Sequence, residues 1–366
     1  MFTCHKHYKN TIRNTIKHFN KRGNTVNLAS IDIRKAFDKI NFWGLLLHLQ
    51  NKNINPTIIE LLEHWFSIGT SKVKWNDVLS DSISLTAGVR QGGIISPLLF
   101  SSYVNSVLTS LEDSKIGCFI NGYCANSFLY ADDLLLLSIS VSDLQILTNK
   151  SNSIFKELDL QINSAKSCCL RIGPRFRLNC APISVNGSSL LWVKELKYLG
   201  VFLKEGVNFA CNWQPARRKF FIALNSILGT LGSNPSLDVT LSLFISFCIP
   251  VLTYGIACFS LSAAEIKSFS FAYNAYFSKI FKSNNANTIA QCQYFCHIFP
   301  FYALYDHIRY SFLLKYYSYS LSQQPSSLNH DDFLEITKLI TKYNFLIGDS
   351  VLRRKAKIWT LVNSLL

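Results

Sequence analysis

The sequence is poor in acid. Its 366 residues carry 22 Asp and Glu against 37 Lys and Arg, a formal net charge of +15. A basic chain of this size points to a polyanionic partner, nucleic acid first. The opening stretch, Met1 to Asn10, has Lys and His but no apolar core, which argues against a secretory signal peptide. No internal repeat or low-complexity tract occurs, so nothing indicates a repeat array. The eleven cysteines form no regular framework; they are odd in number, and only Cys168 and Cys169 are adjacent. This pattern speaks against a secreted disulfide scaffold and for a reducing compartment, hence an intracellular location in the nucleus, the cytoplasm or both. Charge is also absent between Asp238 and Glu265, where Leu241 to Leu261 is strongly apolar. A membrane helix needs about 20 such residues. Here Pro250 falls mid-run, Gly255 follows, and Ser and Thr recur. The expectation is two buried helical pieces meeting at Ile249-Pro250, with no membrane partner.

Apolar residues are plentiful: 49% of the chain is hydrophobic and 13% aromatic, enough for substantial buried cores. Periodicity predicts a basic helix over 4–22 with Ile12, Ile16 and Phe19 on one side. Val26 to Ile33 alternates as a strand, with Leu28, Ser30 and Asp32 on one face and Ala29, Ile31 and Ile33 on the other. Helices are expected over Pro56–Phe66 and over Leu98–Leu111, the second capped by Ser96 with Pro97 at its first position. Residues 71–86 read as β-rich, broken at Asn76-Asp77. Phe128–Ala131 and Leu134–Ser138 are apolar strands meeting at Asp132-Asp133, and Ser142 can cap a helix running to about Leu158. Short strands follow near Cys169–Ile172 and Lys197–Leu203, and beyond residue 204 the pattern is helical. The order is mixed α+β, then mostly α, with a boundary near 204–212.

Three stretches carry chemistry. In Ile31-Asp32-Ile33-Arg34-Lys35-Ala36-Phe37-Asp38, a carboxylate ends a buried strand just before a helical turn. Such a position suits a magnesium ligand, although taken alone Asp32 reads first as a helix cap. In Phe128-Leu129-Tyr130-Ala131-Asp132-Asp133-Leu134, two adjacent acids sit between apolar strands. Their repulsion raises a pKa unless a cation compensates, and a plain Asp-Asp hairpin turn is the simpler alternative. In Ala87-Gly88-Val89-Arg90-Gln91-Gly92-Gly93 to Phe100, three glycines let backbone approach a ligand, and a helix start favours anions. There Arg90 and Gln91 could meet a phosphate and a base edge, although a generic loop-to-helix junction would look the same.

Taken together, and in this order and spacing, the three resemble the reverse transcriptase family, particularly non-LTR (LINE-type) elements. Asp32–Asp38 resembles the first palm motif, Arg90-Gln91-Gly92 through Phe100 the second, and Tyr130-Ala131-Asp132-Asp133 the signature tetrapeptide. Asn163–Lys166 and Lys197-Tyr198-Leu199-Gly200-Val201 resemble the two that follow, and Ile249–Gly255 is similar to a segment common after the LINE palm. The resemblance implies an α+β right-hand palm, an antiparallel sheet with packed helices, with partial fingers over 1–204. A mostly helical thumb and C-terminal region would follow over 205–366.

It further implies an RNA-directed DNA polymerase with two Mg²⁺ ions, or Mn²⁺ in their place, held by Asp32, Asp132 and Asp133. Asp32 and Asp132 would bridge the ions. Phe37 would exclude a 2′-hydroxyl, Gln91 and Gly92 would line the nascent base pair, and Arg90 would lie beside them. Lys166 would approach the leaving pyrophosphate. Tyr130 would face the primer end, on a strand face shared with residue 132. Asp38 reads as a helix-face charge. RNA template, DNA primer and dNTPs would be the partners. Only 31 residues precede Asp32, so much of the family's fingers is not represented and the dNTP-gripping basic residues go unmatched. That departure keeps an alternative open: a catalytically impaired, truncated remnant that binds nucleic acid without polymerising. Cys292, Cys296 and His297 cluster but have no spaced fourth ligand for zinc.

Overall fold

Helix α1 (Cys4–Asn20) forms where expected, and Ile12, Ile16 and Phe19 are all buried. The computed structural model describes residues 4–120, 122–232, 236–323 and 330–364. It divides into two units, one of residues 15–210 and one of residues 1–14 with 211–366. The first fourteen residues therefore group with the C-terminal unit, not with the remainder of the 1–204 span.

In the 15–210 unit, β1 (Val26–Asp32) is followed by a 3-10 turn at Ala36–Lys39, α2 (Phe42–Asn51) and α3 (Pro56–Ser67), the last capped by Asn55. Residues 70–84 make a narrow ribbon, with β2 (Thr70–Ser71) paired to β5 (Ile83–Ser84) and β3 (Lys74–Trp75) to β4 (Val78–Leu79). Asn76 turns its tip at φ 53. Helix α4 (Ser96–Tyr103) is separated from α5 (Asn105–Asp113) at Val104, where one continuous helix was expected. Ser96 is the first helical residue and not the cap, because Ile95 already has helical dihedrals. Hairpins β6 (Phe119–Ile120) with β7 (Tyr123–Cys124) and β8 (Ser127–Tyr130) with β9 (Asp133–Ser138) come next. Ser140, not Ser142, caps α6 (Val141–Glu157), accepting the Asp143 N–H. The remaining strands are β10 (Cys168–Ile172), β11 (Ile183–Val185), β12 (Ser188–Trp192), β13 (Glu195–Tyr198) and β14 (Val201–Lys204), and β15 (Ala210–Asn212) leads into the second unit. The pair β11–β12 carries no strong alternation and was not foreseen.

The main sheet runs β11-β12-β10-β1-β9-β8, with β1 antiparallel to both β10 and β9. Its two faces follow from the period of two. Ala29, Ile31, Leu134, Leu136 and Cys169 point to one side and join the core made with α2 to α6 through Leu45, Phe100, Leu144 and Phe155. Leu28, Ser30 and Asp32 point to the other side, alongside Leu137, Leu135 and Asp133. The acids therefore stand at the end of the face turned away from α2 to α6.

The second unit is helical after β15: α7 (Gln214–Leu231), α8 (Leu237–Leu243), α9 (Ile249–Thr253), α10 (Ala263–Phe281), α11 (Ala286–Phe295), α12 (Phe301–Gln323), α13 (His330–Tyr343) and α14 (Val351–Ser364). The uncharged run forms α8 and α9 joined by a π-helical turn at Phe244–Cys248, in which the Ile249 N–H reaches back to the Phe244 carbonyl. The wider turn falls just before Pro250, whose ring would clash in a regular turn. Phe244, Cys248 and Leu252 are buried, and Phe244 stacks on Tyr276 with centroids 4.0 Å apart. Among the described residues, no helix is long and apolar enough to cross a membrane. Within this unit Arg13 pairs with Asp332, and Arg309 bonds Asp332 at 3.0 Å and Glu335 at 2.8 Å, forming a buried polar lattice.

Candidate active site

The site grows from the end of β1. Asp32 is clamped by its own backbone: its N–H donates to Ser167 Oγ at 3.0 Å, and its carbonyl accepts from the Asn163 N–H at 2.8 Å. One step further, the Arg34 N–H reaches the Gln161 carbonyl at 2.8 Å. The 161–167 loop thus fixes where β1 ends and where its carboxylate points. Lys166 lies exposed on that same loop.

On the neighbouring hairpin, Tyr130 pairs with Asp133, so residues 131 and 132 alone make the turn. A two-residue hairpin loop needs left-handed backbone, and Ala131 supplies it at φ 51, an unfavourable conformation for a residue with a Cβ. The shared face expected for Tyr130 and Asp132 is not observed, because β8 stops at Tyr130 and Asp132 belongs to the turn. The residue on Tyr130's face is Asp133, which also lies directly opposite Asp32 in the β1–β9 ladder. Directly opposed residues of an antiparallel pair project to the same side. Asp32 and Asp133, a hundred residues apart in sequence, are thereby neighbours, with Asp132 at the turn beside them.

Electrostatics bear the mark of this crowding. Burial raises the Asp133 carboxyl above its ordinary value, the Asp132 and Asp32 carboxylates raise it further, and Lys197 opposes them. Among the described residues, none of the three carboxylates makes an ion pair or a side-chain hydrogen bond. Asp32 and Asp133 opposed in the ladder, with Asp132 next in the chain and only Lys197 to offset their charge, suit a divalent ion. No three His, Cys, Asp or Glu side chains among the described residues form a ready-made metal cluster. Magnesium would ask no more of the protein than one or two carboxylates, since it completes its shell with water and phosphate oxygens.

The nucleotide-side candidates form a second group. Phe37, in the 3-10 turn after β1, stacks on buried Phe100 at 4.7 Å and 21°. Its carbonyl accepts the Val89 N–H at 2.8 Å, joining the turn to the glycine loop. Arg90, Gln91 and Gly92 are exposed, and Gly92 at φ 82 faces open space, so a ligand can approach its backbone. Arg90 borders a hollow lined by Phe42, Trp65, Phe66 and Leu85. Sequence reasoning did not foresee two contacts: Ser167 under Asp32, and Asp38, whose carboxylate accepts from Gln91 Nε2 at 3.1 Å. The adjacency of Ser167 to Lys166 was the one available signal for the first; nothing in the sequence signalled the second.

A mixed sheet of this form, helices on one face and paired acids at the end of the other, is that of a nucleic-acid polymerase palm. Residues 3–203 match the family model described as reverse transcriptase (RNA-dependent DNA polymerase), and the chain belongs to that family. It is similar to the retrovirus-related Pol polyprotein from the type-2 retrotransposable element R2DM of Drosophila melanogaster, 24% identical over 205 residues, 54% of this chain and 19% of that protein. It is also similar to the RNA-directed DNA polymerase from mobile element jockey of Drosophila funebris, 24% identical over 250 residues, 64% of this chain and 26% of that protein. The chain thus spans about a fifth to a quarter of the length of these relatives. Among solved structures, telomerase from Candida albicans in complex with a fragment of telomeric RNA matches over 98% of this chain and 52% of that one, at 11% identity and a TM-score of 0.47.

Proposed function

We propose that this chain is an RNA-directed DNA polymerase of a non-LTR retrotransposon, adding deoxynucleotides to a primer 3′-hydroxyl. The reading rests on one observation above all: Asp32 and Asp133 face each other across the β1–β9 ladder, with Asp132 at the adjoining turn and no cation paired to any of them. Asp32, Asp132 and Asp133 would hold two Mg²⁺ ions. When bound, such a pair activates the attacking hydroxyl and neutralises charge on the leaving pyrophosphate. The chain's own residues do the positioning. The clamped end of β1 fixes the direction of Asp32, and the tight turn fixes Asp132 against Asp133. Phe37, held by Phe100, forms a rigid floor that would exclude a 2′-hydroxyl, and Tyr130 stands on the acids' face where a primer end would lie. Lys166, on the loop that clamps Asp32, would supply positive charge towards the pyrophosphate. The net charge of +15 suits an RNA template paired to a DNA primer, gripped by its phosphates. Its workplace would be intracellular, in the nucleus, the cytoplasm or both.

Primer extension on an RNA template with Mg²⁺ and dNTPs tests the reading. Extension by the purified chain, abolished in Asp132→Ala, is expected. A folded sample that extends no better than that variant refutes polymerisation and leaves salt-dependent duplex binding as the function.

A further inference from the structure

Asp38 lies outside the metal-facing acids, and the proposed mechanism gives it no role. Its surroundings are nonetheless specific. The turn that contains it and the glycine loop are zipped together: the Gly88 N–H donates to the Ile40 carbonyl and the Val89 N–H to the Phe37 carbonyl, both at 2.8 Å. Gly88 adopts φ 90, and a Cβ there would sit 2.8 Å from the Asp38 carbonyl oxygen, so the loop lies directly on the Asp38 backbone. Beyond that seam the loop is exposed, from Arg90 through Gly92. Within this exposed stretch one side chain is tethered: Gln91 Nε2 donates to Asp38 Oδ1 at 3.1 Å. Lys35 and Lys39 are close in sequence and Arg90 adjoins Gln91, yet among the described residues Asp38 forms no ion pair with any of them.

We propose that Asp38 is a positioning residue that sets the side-chain amide of Gln91, so that Phe37 and Gln91 are presented to the incoming nucleotide as one unit. The assignment deepens the polymerase reading and rests on it. A carboxylate can only accept here, so it selects the amide orientation that turns –NH₂ towards Asp38. One N–H of Gln91 is consumed, leaving its second N–H and its carbonyl oxygen for the nucleotide. A charged acceptor makes this bond stronger than a neutral one would. The tether also spans the two segments that read the sugar and the base: Phe37 immediately precedes Asp38, and Gln91 is two residues beyond the seam at Val89.

The test compares Asp38→Ala with Asp38→Asn, which keeps an oxygen acceptor, and with Gln91→Ala. Steady-state extension should show Asp38→Ala raising KM for dNTP about fivefold, the worth of one hydrogen bond, with a smaller change in kcat. Asp38→Asn should restore most of it. Gln91→Ala should raise KM similarly, and adding Asp38→Ala to it should cost nothing more, because the two act through one bond. A readout independent of activity is tryptic cleavage of the Arg90–Gln91 bond in the native protein. It should speed up several-fold in Asp38→Ala and stay near wild type in Asp38→Asn. Wild-type KM and cleavage rate in Asp38→Ala overturn the proposal, as does an Asp38→Asn variant as impaired as Asp38→Ala in both. If the wild-type chain extends no primer, the polymerase reading fails, while the cleavage comparison still decides the tether.

Discussion

Removing one charge from the acid cluster should stabilise the protein when no divalent ion is present. Asp133 and Asp32 are directly opposed in the ladder, a placement that brings Cα atoms to about 4.5–5.5 Å. At an effective dielectric near 20, two like charges about 5–6 Å apart repel by about 3 kcal/mol. All three acids are half-buried, and solvent screening roughly halves that figure, leaving about 1–2 kcal/mol. Asp133→Asn should therefore raise the melting temperature of the 15–210 unit, in EDTA at neutral pH, by about 2–6 °C. The sign with pH follows from the raised carboxyl. A native state that prefers the protonated acid is penalised once the acid ionises, so the difference is full above the raised value. It vanishes as pH falls towards the ordinary carboxyl value of 3.8. Millimolar Mg²⁺ should narrow it by stabilising the wild type alone. Differential scanning fluorimetry across pH, with and without Mg²⁺, reads all three effects. A variant that melts at or below wild type in EDTA at neutral pH refutes the claim that these carboxylates repel one another by more than Lys197 offsets.

Other perturbations follow from the same structure. Asp332→Ala leaves Arg13 and Arg309 buried without their shared carboxylate and should cost about 3–5 kcal/mol in urea unfolding of the second unit. The arginines hold the Asp332 and Glu335 carboxyls below their ordinary range. Their contribution is thus complete above the ordinary values of 3.8 and 4.5 and is lost as pH drops through the lowered ones, so in an acid titration of that unit it should fall away below about pH 4.5. Phe37→Ala, which removes the ring stacked on Phe100, should increase ribonucleotide incorporation relative to deoxynucleotide by roughly tenfold or more in single-nucleotide extension. Gly88→Ala adds a Cβ at φ 90 against the Asp38 backbone and should cost about 1–3 kcal/mol by chemical denaturation, with weaker nucleotide binding.

Much of the palm was legible because its strands are short, apolar and alternating. The faces assigned to Leu28, Ser30 and Asp32 and to Ala29 and Ile31 are those that the β1–β9 register displays, while Ile33 lies just past the strand and is buried in the same core as Ala29 and Ile31. The approach of Asp32 to the Asp132-Asp133 turn could not be read from periodicity, since pairing partners a hundred residues apart leave no local signal; the family resemblance carried it. Local chemistry misled where several residues compete for one role. Ser96, Ser140 and Ser142 are all competent caps, and the observed choice depends on backbone dihedrals set by packing. The strand end at Tyr130 hinged on whether Ala131 would accept left-handed geometry, which an alanine does not advertise. Two buried helical pieces meeting at Ile249-Pro250 were expected; the run instead stays helical through Pro250 by way of a π-helical turn, with Phe244 and Cys248 buried and Ile245 and Phe247 exposed.

The central claim, that Asp32, Asp132 and Asp133 serve a shared divalent site, is tested most directly by Mn²⁺ binding followed by electron paramagnetic resonance, in the presence of an RNA–DNA primer duplex and a non-reactive dNTP analogue. Asp32→Asn and Asp132→Asn should each abolish the tight Mn²⁺ signal while the protein stays folded. Undiminished Mn²⁺ binding in Asp32→Asn, alongside loss in Asp132→Asn, would show that the two strands do not share an ion and would contradict the account.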